Sequence, residues 1–362
     1  MAYIPKSLVF HFLLRLPVKS LARFQCIDKE WLSLISDPHF IYTHLKRAQT
    51  ANDFRLLLSF ISHGNVSTTI KFITINEYGL AGSDYSVHIN SDSYRVLPSC
   101  NGLVCFYGVK GRIYICNPAI RNMVKLPGDD AKGSILLSCG FGFDPQACRY
   151  KVIRMSDSGP FKAPGDSKMD IFTMGTCSWR NVKYDERFRF LNRQPPVHAS
   201  GFFYWITANN GSKGYMIASF DIGNETFEAI PPPKSLSGKN WPMFCLGELG
   251  GDLALIDMDF ASEGKRRMDL WLLKEASGDE NKKTWVKESI IHPSQPLDAT
   301  RPEALDHGGS KVLLHGFIRG SDAFLNWYNL GTGSFRRFEI QEITSPFFHV
   351  GAHVESLAQL DG

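Results

Sequence analysis

Asn101–Pro127 reads NGLVCFYGVKGRIYICNPAIRNMVKLP, and it parses into short runs separated by turns. Leu103–Tyr107 and Arg112–Cys116 are strand-like in length and in aromatic and β-branched content, and Met123 sits in a closing stretch. Asn101-Gly102, Gly108–Gly111 and Asn117-Pro118 punctuate them with residues that favour chain reversal. A unit of this kind is a meander of strands, with no stretch periodic enough for an amphipathic helix.

The same plan recurs in Gly201–Pro233 (GFFYWITANNGSKGYMIASFDIGNETFEAIPPP) and Gly308–Ile340 (GGSKVLLHGFIRGSDAFLNWYNLGTGSFRRFEI). It recurs in pieces in Gly250–Met258, Met268–Glu275 and Lys282–Ile290, and in Gly140–Met155 with Asp170–Val182. The closing residues Met123, Trp179, Phe227, Trp285 and Phe335 are 56, 48, 58 and 50 positions apart. That spacing is near the roughly 50 residues of a kelch-type propeller blade, a four-stranded sheet. Other strands are expected at Phe54–Ser59, Ile70–Ile75, Lys151–Met155, Phe202–Ile206, Met216–Asp221, Asp252–Ile256, Leu270–Leu273, Lys311–Leu314 and Phe324–Asn329. Trp205, Trp271, Trp285 and Trp327 fit packing between blades, where large aromatics supply much of the buried area. The apolar run Phe347–Leu357 is expected to close a ring by pairing with the first blade. The fold class is therefore mainly β: a kelch-like β-propeller of about six blades over residues 54–360, with a β-sandwich or irregular double sheet as the alternative.

Residues 1–46 are different, an all-α module free of glycine from Ile4 to Leu45. A first helix is expected from Lys6 to Leu16 with Pro5 at its start, broken by Leu16-Pro17 because the residue before proline leaves the α region. A second covers Val18–Cys26. Asp28 caps a third, with Ile27 and Leu32 placed as a staple, and Asp37-Pro38 opens a fourth that runs through Leu45. Helices this short cannot bury all their apolar residues against one another. The first is apolar almost all round, so a partner protein, rather than the following domain, is the expected cover.

The stretch IPKSLVFHFLLRLPVKSLARFQCIDKEWLSLISDPHFIYTHL resembles the F-box of plant F-box proteins over the whole motif, in order. The resemblance implies docking on a Skp-family adaptor, which bridges to a cullin and a ubiquitin-conjugating enzyme. It places the adaptor contacts on Ile4, Pro5, Leu8, Leu16, Pro17, Val18, Leu21, Phe24, Cys26 and Trp31. Lys6, Ser7 and His11 stand where the family usually carries acidic residues, which implies a lower adaptor affinity. The later words SCNGLVCF, YICNPAIRNMVKLP, GFGFDPQACRYKVIRM, GFFYWI and IASFDIGNETFEAIPPP resemble the F-box-associated domain, and imply a kelch-like or galactose-oxidase-like platform for a target protein.

Composition limits the other classes. A formal charge of +4 on 362 residues gives no reason to expect nucleic acid or an anionic membrane as partner. No apolar run approaches the roughly 20 residues that span a bilayer. The Leu8–Leu14 stretch resembles a signal peptide, but His11 and Arg15 interrupt it and no cleavage site follows. None of the eight cysteines forms a Cys-x-x-Cys pair, and several lie in apolar runs, which points to a reducing compartment, the cytoplasm or nucleus. The sequons at Asn65, Asn210 and Asn224 are three-residue matches of the kind chance supplies. Gly128–Ser134 has phosphate-loop spacing without the lysine, and Gly140-Phe141-Gly142 runs into Asp144-Pro145 instead of opening a helix. No nucleophile elbow or zinc motif occurs, and His198 and His315 read as structural. Lys265-Arg266-Arg267 and Arg336-Arg337 read as solvated loops or faces, and Ser156–Met169 and Ala276–Lys283 as insertions that vary a binding surface.

The expected function is therefore a substrate-recognition subunit of a Skp–cullin–F-box ubiquitin ligase, non-catalytic, with no cofactor and no metal. The alternatives are a propeller enzyme or lectin capped by helices, and a receptor–adaptor pair that never joins a cullin.

Overall fold

The computed structural model describes residues 6–50, 55–64, 66–76, 81–128, 135–157, 168–183, 185, 187–190, 195–209, 215–236, 244–259, 267–276, 279–292, 299–306, 309–317, 324–338 and 348–360. Four helices come first: α1 (Lys6–Leu13), α2 (Val18–Phe24), α3 (Lys29–Ile35) and α4 (Pro38–Thr50). Among the described residues only strands and one short 3₁₀ turn (Lys234–Leu236) follow.

The strands form six antiparallel sheets in succession. The first holds β1 (Arg55–His63), β2 (Ser67–Asn76) and β3 (Ala81–Asn90); the second β4 (Tyr94–Val96), β5 (Val104–Gly108), β6 (Ile113–Asn117) and β7 (Asn122–Lys125). The third holds β8 (Ile135–Asp144), β9 (Arg149–Asp157), β10 (Lys168–Thr173) and β11 (Arg180–Val182). The fourth holds β12 (Phe188–Phe190), β13 (Val197–Ala199), β14 (Phe202–Asn209), β15 (Tyr215–Asp221) and β16 (Phe227–Ile230). The fifth comprises β17 (Phe244–Leu249), β18 (Asp252–Asp259), β19 (Arg267–Ala276) and β20 (Asp279–Ile291), and the sixth β21 (Ala299–Leu305), β22 (Lys311–Phe317), β23 (Phe324–Asn329) and β24 (Phe335–Phe338). The last strand, β25 (Phe348–His353), returns to pair with β1, with Leu58 opposite Val350. The first sheet is thus completed from the far end of the chain, as the apolar run there led us to expect.

Two compact units are distinguished. One comprises Met1–Tyr107, Arg112–Leu126 and Phe348–Gly362, so it contains the helices, the first two sheets and the C-terminal tail. The other comprises Gly108–Gly111 and Pro127–Phe347, with the remaining four sheets. In each, the core lies between consecutive sheets. Leu57, Ile70 and Phe72 of the first sheet pack on Val104 and Phe106 of the second. Ile153, Met155 and Met169 of the third meet Phe203 and Phe220 of the fourth, and Tyr204 and Ile217 of the fourth meet Leu246 and Leu255 of the fifth. Each such side chain contributes roughly 1.5–3 kcal/mol on leaving water. Polar ties cross the same boundaries. Lys151 Nζ lies 2.8 Å from Asp144 Oδ2 and donates to the Ile222 carbonyl, and Trp285 Nε1 donates to the Pro231 carbonyl.

A turn motif repeats with the sheets. Asn117, Asp221 and Asn329 each end the third strand of their sheet. In each, Oδ1 accepts the amide two residues on, at Ala119 (3.1 Å), Gly223 (2.8 Å) and Gly331 (3.0 Å). Asn and Asp favour this turn because the side chain replaces a backbone acceptor. Met123, Phe227, Trp285 and Phe335 fall on the last strands of their sheets, and Trp179 falls one residue before β11.

Three expectations are corrected. The first helix ends at Leu13, not Leu16: the amides of Arg15 and Leu16 donate to Phe12 and Leu13, a tight closing turn ahead of Pro17. The fourth helix continues past Leu45 to Thr50. Ala276–Lys283 is a hairpin end, because β19 runs to Ala276 and pairs there with Asp279 at the start of β20. Ile4, Pro5, Asn65, Asn210, Lys265, Arg266, positions 129–134 of the phosphate-loop look-alike and positions 158–167 of the other insertion lie outside the described residues. Among the described residues no helix is long and apolar enough to cross a membrane.

Candidate functional site

The helical module is built by caps and a proline. Asp28 Oδ1 accepts the Trp31 amide at 2.9 Å, and Asp37 Oδ1 accepts those of His39 (2.8 Å) and Phe40 (3.2 Å), satisfying amides that open α3 and α4. Leu13, Leu14, Val18, Leu21, Ile35 and Phe40 form the interior. Phe10 meets Phe40 edge-on at 5.3 Å, and Phe24 meets Trp31 likewise at 5.2 Å. His44 closes the bottom, its Nε2 2.9 Å from the Leu16 carbonyl.

That interior does not end with the helices. Ala119 and Ile120, from the turn after β6, and Leu357 of the C-terminal tail belong to the same cluster. The expected cover, a partner alone, is corrected here: on its inner side the module is seated on its own β domain. The seat is fixed from below. Asn117 Nδ2, fully buried, donates to the carbonyls of Ser356 (2.8 Å) and Ala358 (2.9 Å). Gln49 Nε2 of α4 donates to Asn101 Oδ1 at 3.0 Å. Asn101 and Gly102 have φ of +50° and +83°, and the tail passes so close that a Cβ on Gly102 would lie 2.5 Å from that of Ser356. Beside it, His353 Nδ1 lies 2.8 Å from Ser99 Oγ. Burial, with the Arg55 charge acting in the same sense, pushes the imidazole down to about 4.

The outer side is left open. Leu8 and Phe12 of α1 are 60% and 58% exposed, one helical turn apart on one face, and Ile27 and Leu32 are 59% and 45% exposed. Of the ten contact residues expected from sequence, Leu8, Pro17 and Cys26 are exposed and Leu16, Phe24 and Trp31 half-buried. Val18 and Leu21 are 2% and 0% exposed, so their side chains form the floor of the surface. Phe12 was not singled out, and Ile27 and Leu32 were read only as a staple at the start of the third helix. A helix apolar on every side gives no period from which to read the open face, so sequence alone carries no signal for Phe12.

Charge is distributed just as unevenly. Residues 1–50 hold seven Lys or Arg against three Asp or Glu, a net of +4, and the rest of the chain balances 33 against 33. The chain's whole formal excess therefore sits on the helical module. Arg15, Lys19, Arg23 and Lys29 are all exposed.

Elsewhere the β domain offers little chemistry. Among the described residues no group of three or more His, Cys, Asp and Glu side chains could hold a metal, and no disulfide joins any of the eight cysteines. His315 Nδ1 lies 3.3 Å from Glu303 Oε1, both buried. His198 accepts the Phe143 amide at 3.4 Å, and burial holds it down near 4. Arg267 pairs with Asp269, and Arg336 and Arg337 lie exposed on β24.

A seated helical head followed by six sheets of this pattern defines a β-propeller protein with an N-terminal helical module. A family model described as the F-box associated beta propeller domain matches residues 55–359. The chain belongs to the plant F-box proteins that carry this domain. An Arabidopsis thaliana F-box protein is 28% identical over 95% of this chain and 87% of its own. An F-box/kelch-repeat protein of the same plant is 27% identical over 75% and 76%. An oligogalacturonate lyase from Vibrio parahaemolyticus is 8% identical over 80% of each chain, with a TM-score of 0.43, too slight a likeness to argue any activity from.

Proposed function

We propose that this chain is the substrate-recognition subunit of a Skp–cullin–F-box ubiquitin ligase. The outer face of α1–α3 docks on a Skp-family adaptor, the propeller holds a target protein, and the chain catalyses nothing itself. Its effect is to raise the concentration of the target near the ubiquitin-loading enzyme. On this reading it acts in the cytoplasm or nucleus.

The observation that carries the reading is the pair Leu8 and Phe12. Both are large, apolar and exposed on a helix whose other side is buried in the module's apolar interior. Membership among F-box proteins supplies the kind of partner that covers such a face. Leu16, Pro17, Phe24, Cys26 and Trp31 would border the contact, with Val18 and Leu21 beneath it.

The test is co-purification of a plant Skp-family adaptor with the full chain and with Leu8→Asp/Phe12→Asp. Both positions are exposed, so the variant should unfold within about 0.5 kcal/mol per site of wild type. Adaptor bound by wild type and lost by the variant is the expected outcome. Adaptor retained by the variant would overturn the assignment of this face. Leu21→Asp is a poor substitute, because a carboxylate at a fully buried position unfolds the module whatever docks there. Deleting residues 1–51 is no better, since it uncovers Ala119, Ile120 and Leu357.

A further inference from the structure

The chain's net charge is concentrated on its helical module, outside the module's apolar interior. The interior is apolar, the seat is Ala119, Ile120 and Leu357, and the cations are exposed. Lys19 and Arg23 lie one turn apart on α2, on the side away from buried Val18 and Leu21. Arg15 sits in the turn between α1 and α2, and Lys29 opens α3. The exposed apolar residues Leu8, Phe12, Ile27 and Leu32 come from the same three helices and their connections. These helices and turns thus carry exposed apolar residues and exposed cations together, and residues 1–50 hold only Asp28, Glu30 and Asp37 as acidic residues.

We infer that this module selects an acidic partner: an adaptor whose apolar groove is rimmed by Asp and Glu, captured by electrostatic steering before the apolar contact forms. The inference rests on the adaptor-docking reading and adds the chemistry of the face that is recognised. An apolar patch alone is indifferent to the charge around a groove. A rim of four or more like charges is not, since unit charges repel or attract over a screening length of about 8 Å at physiological salt. Five of the seven cations, Lys6, Arg15, Lys19, Arg23 and Lys29, belong to α1–α3 and the turns between them, and their summed field acts on an approaching surface. Lys6 and His11 place further basic residues on α1, which has no acidic residue in its first turn. The charge reversal relative to the usual acidic opening of the motif therefore changes which partner fits best. It does not simply weaken docking.

The measurement is the association rate of the full chain with a purified plant Skp-family adaptor, at about 50 and about 300 mM salt. Wild type, Arg15→Glu/Lys19→Glu/Arg23→Glu and Leu8→Asp/Phe12→Asp are compared. Steering of this kind changes association more than dissociation. The charge-reversed variant should associate about tenfold or more slowly at the lower salt, with a dissociation rate near that of wild type. Added salt should slow wild type several-fold and leave the variant unchanged or faster. If wild type binds, the Leu8/Phe12 variant does not, and charge reversal alters neither the rate nor its salt dependence, docking stands and the charge inference falls. If wild type does not bind the adaptor, both readings fall. Stronger capture of wild type by phosphatidylserine vesicles than by the adaptor would also overturn the inference, since the acidic surface would then be a membrane.

Discussion

The side-chain amide of Asn117 donates to the backbone carbonyl of Ser356 at 2.8 Å, joining the end of β6 to the C-terminal tail beneath the helices. A second bond to Ala358 at 2.9 Å uses the other amide hydrogen, and Oδ1 holds the turn through Ala119. One fully buried side chain thus shapes the turn, anchors the tail and positions two elements of the apolar seat. Asn117→Ala leaves buried carbonyls without donors, so a loss of about 2–4 kcal/mol is expected by urea denaturation, at 1–3 kcal/mol per unsatisfied group. Faster proteolysis at the tail should accompany it. A variant as stable as wild type would show that water replaces the amide.

Gly102 and Gly111 separate two costs of losing a glycine. Both have φ near +85°, so alanine at either meets the left-handed penalty of roughly 1–2 kcal/mol. A Cβ on Gly111 has nothing within 4 Å, whereas one on Gly102 would come within 2.6 Å of the Val354 carbonyl oxygen. Gly102→Ala should therefore lower the urea midpoint clearly more than Gly111→Ala, the difference amounting to about 1–3 kcal/mol of overpacking. Equal midpoints would mean that the tail moves aside freely.

The buried histidine of β25 makes stability depend on pH. His353 is held near 4 when folded and titrates near 6.5 when free, so between those values the unfolded chain binds more protons. Stability contributed by the neutral ring is complete above about 6.5 and is lost as pH falls towards 4. His198, also held near 4, acts in the same direction. Carboxylates such as Asp144, which hydrogen bonds hold below 3.8 against the opposing effect of burial, change only at lower pH, while Glu248, raised by burial, acts in the opposite direction to the histidines. The urea midpoint at about pH 5 should fall below that at about pH 7.5. His353→Gln should narrow the gap; a gap of the same width in the variant would assign the effect elsewhere.

The repeat was legible because its signal is local. A strand, a turn residue and a closing aromatic or Met recur near fifty positions, and four of the five closing residues lie on the last strands of their sheets while Trp179 falls one short. Strands such as β3 (AGSDYSVHIN) were missed because their composition is mixed and their pairing, not their pattern, makes them strands. The Asx turns at Asn117, Asp221 and Asn329 were a missed signal that was present in the sequence. At the proposed docking face, the motif named residues but could not divide them between buried interior and open surface. Val18 and Leu21 differ from Leu8 and Phe12 only in what lies behind them, and part of that, Leu357, comes from the other end of the chain. Whole-chain charge was misleading for the same reason: an average over 362 residues hides an excess confined to the first fifty.

The pairing of β1 with β25 has a bearing on synthesis. Chains emerge from the ribosome amino end first, so α1–α4 and β1 are made long before Phe348–His353 exists to complete the first sheet. Until then β1, with Leu56, Leu57 and Leu58 in one run, presents an unpaired edge of the kind that quality-control machinery and aggregation both recognise. On the adaptor-docking reading proposed above, a product truncated before Phe348 would still carry the docking face. Lacking both β25 and Leu357, it would have neither a finished first sheet nor a complete seat for the helices. The order of the strands thus makes one late segment complete both the first sheet and the support of the helical module.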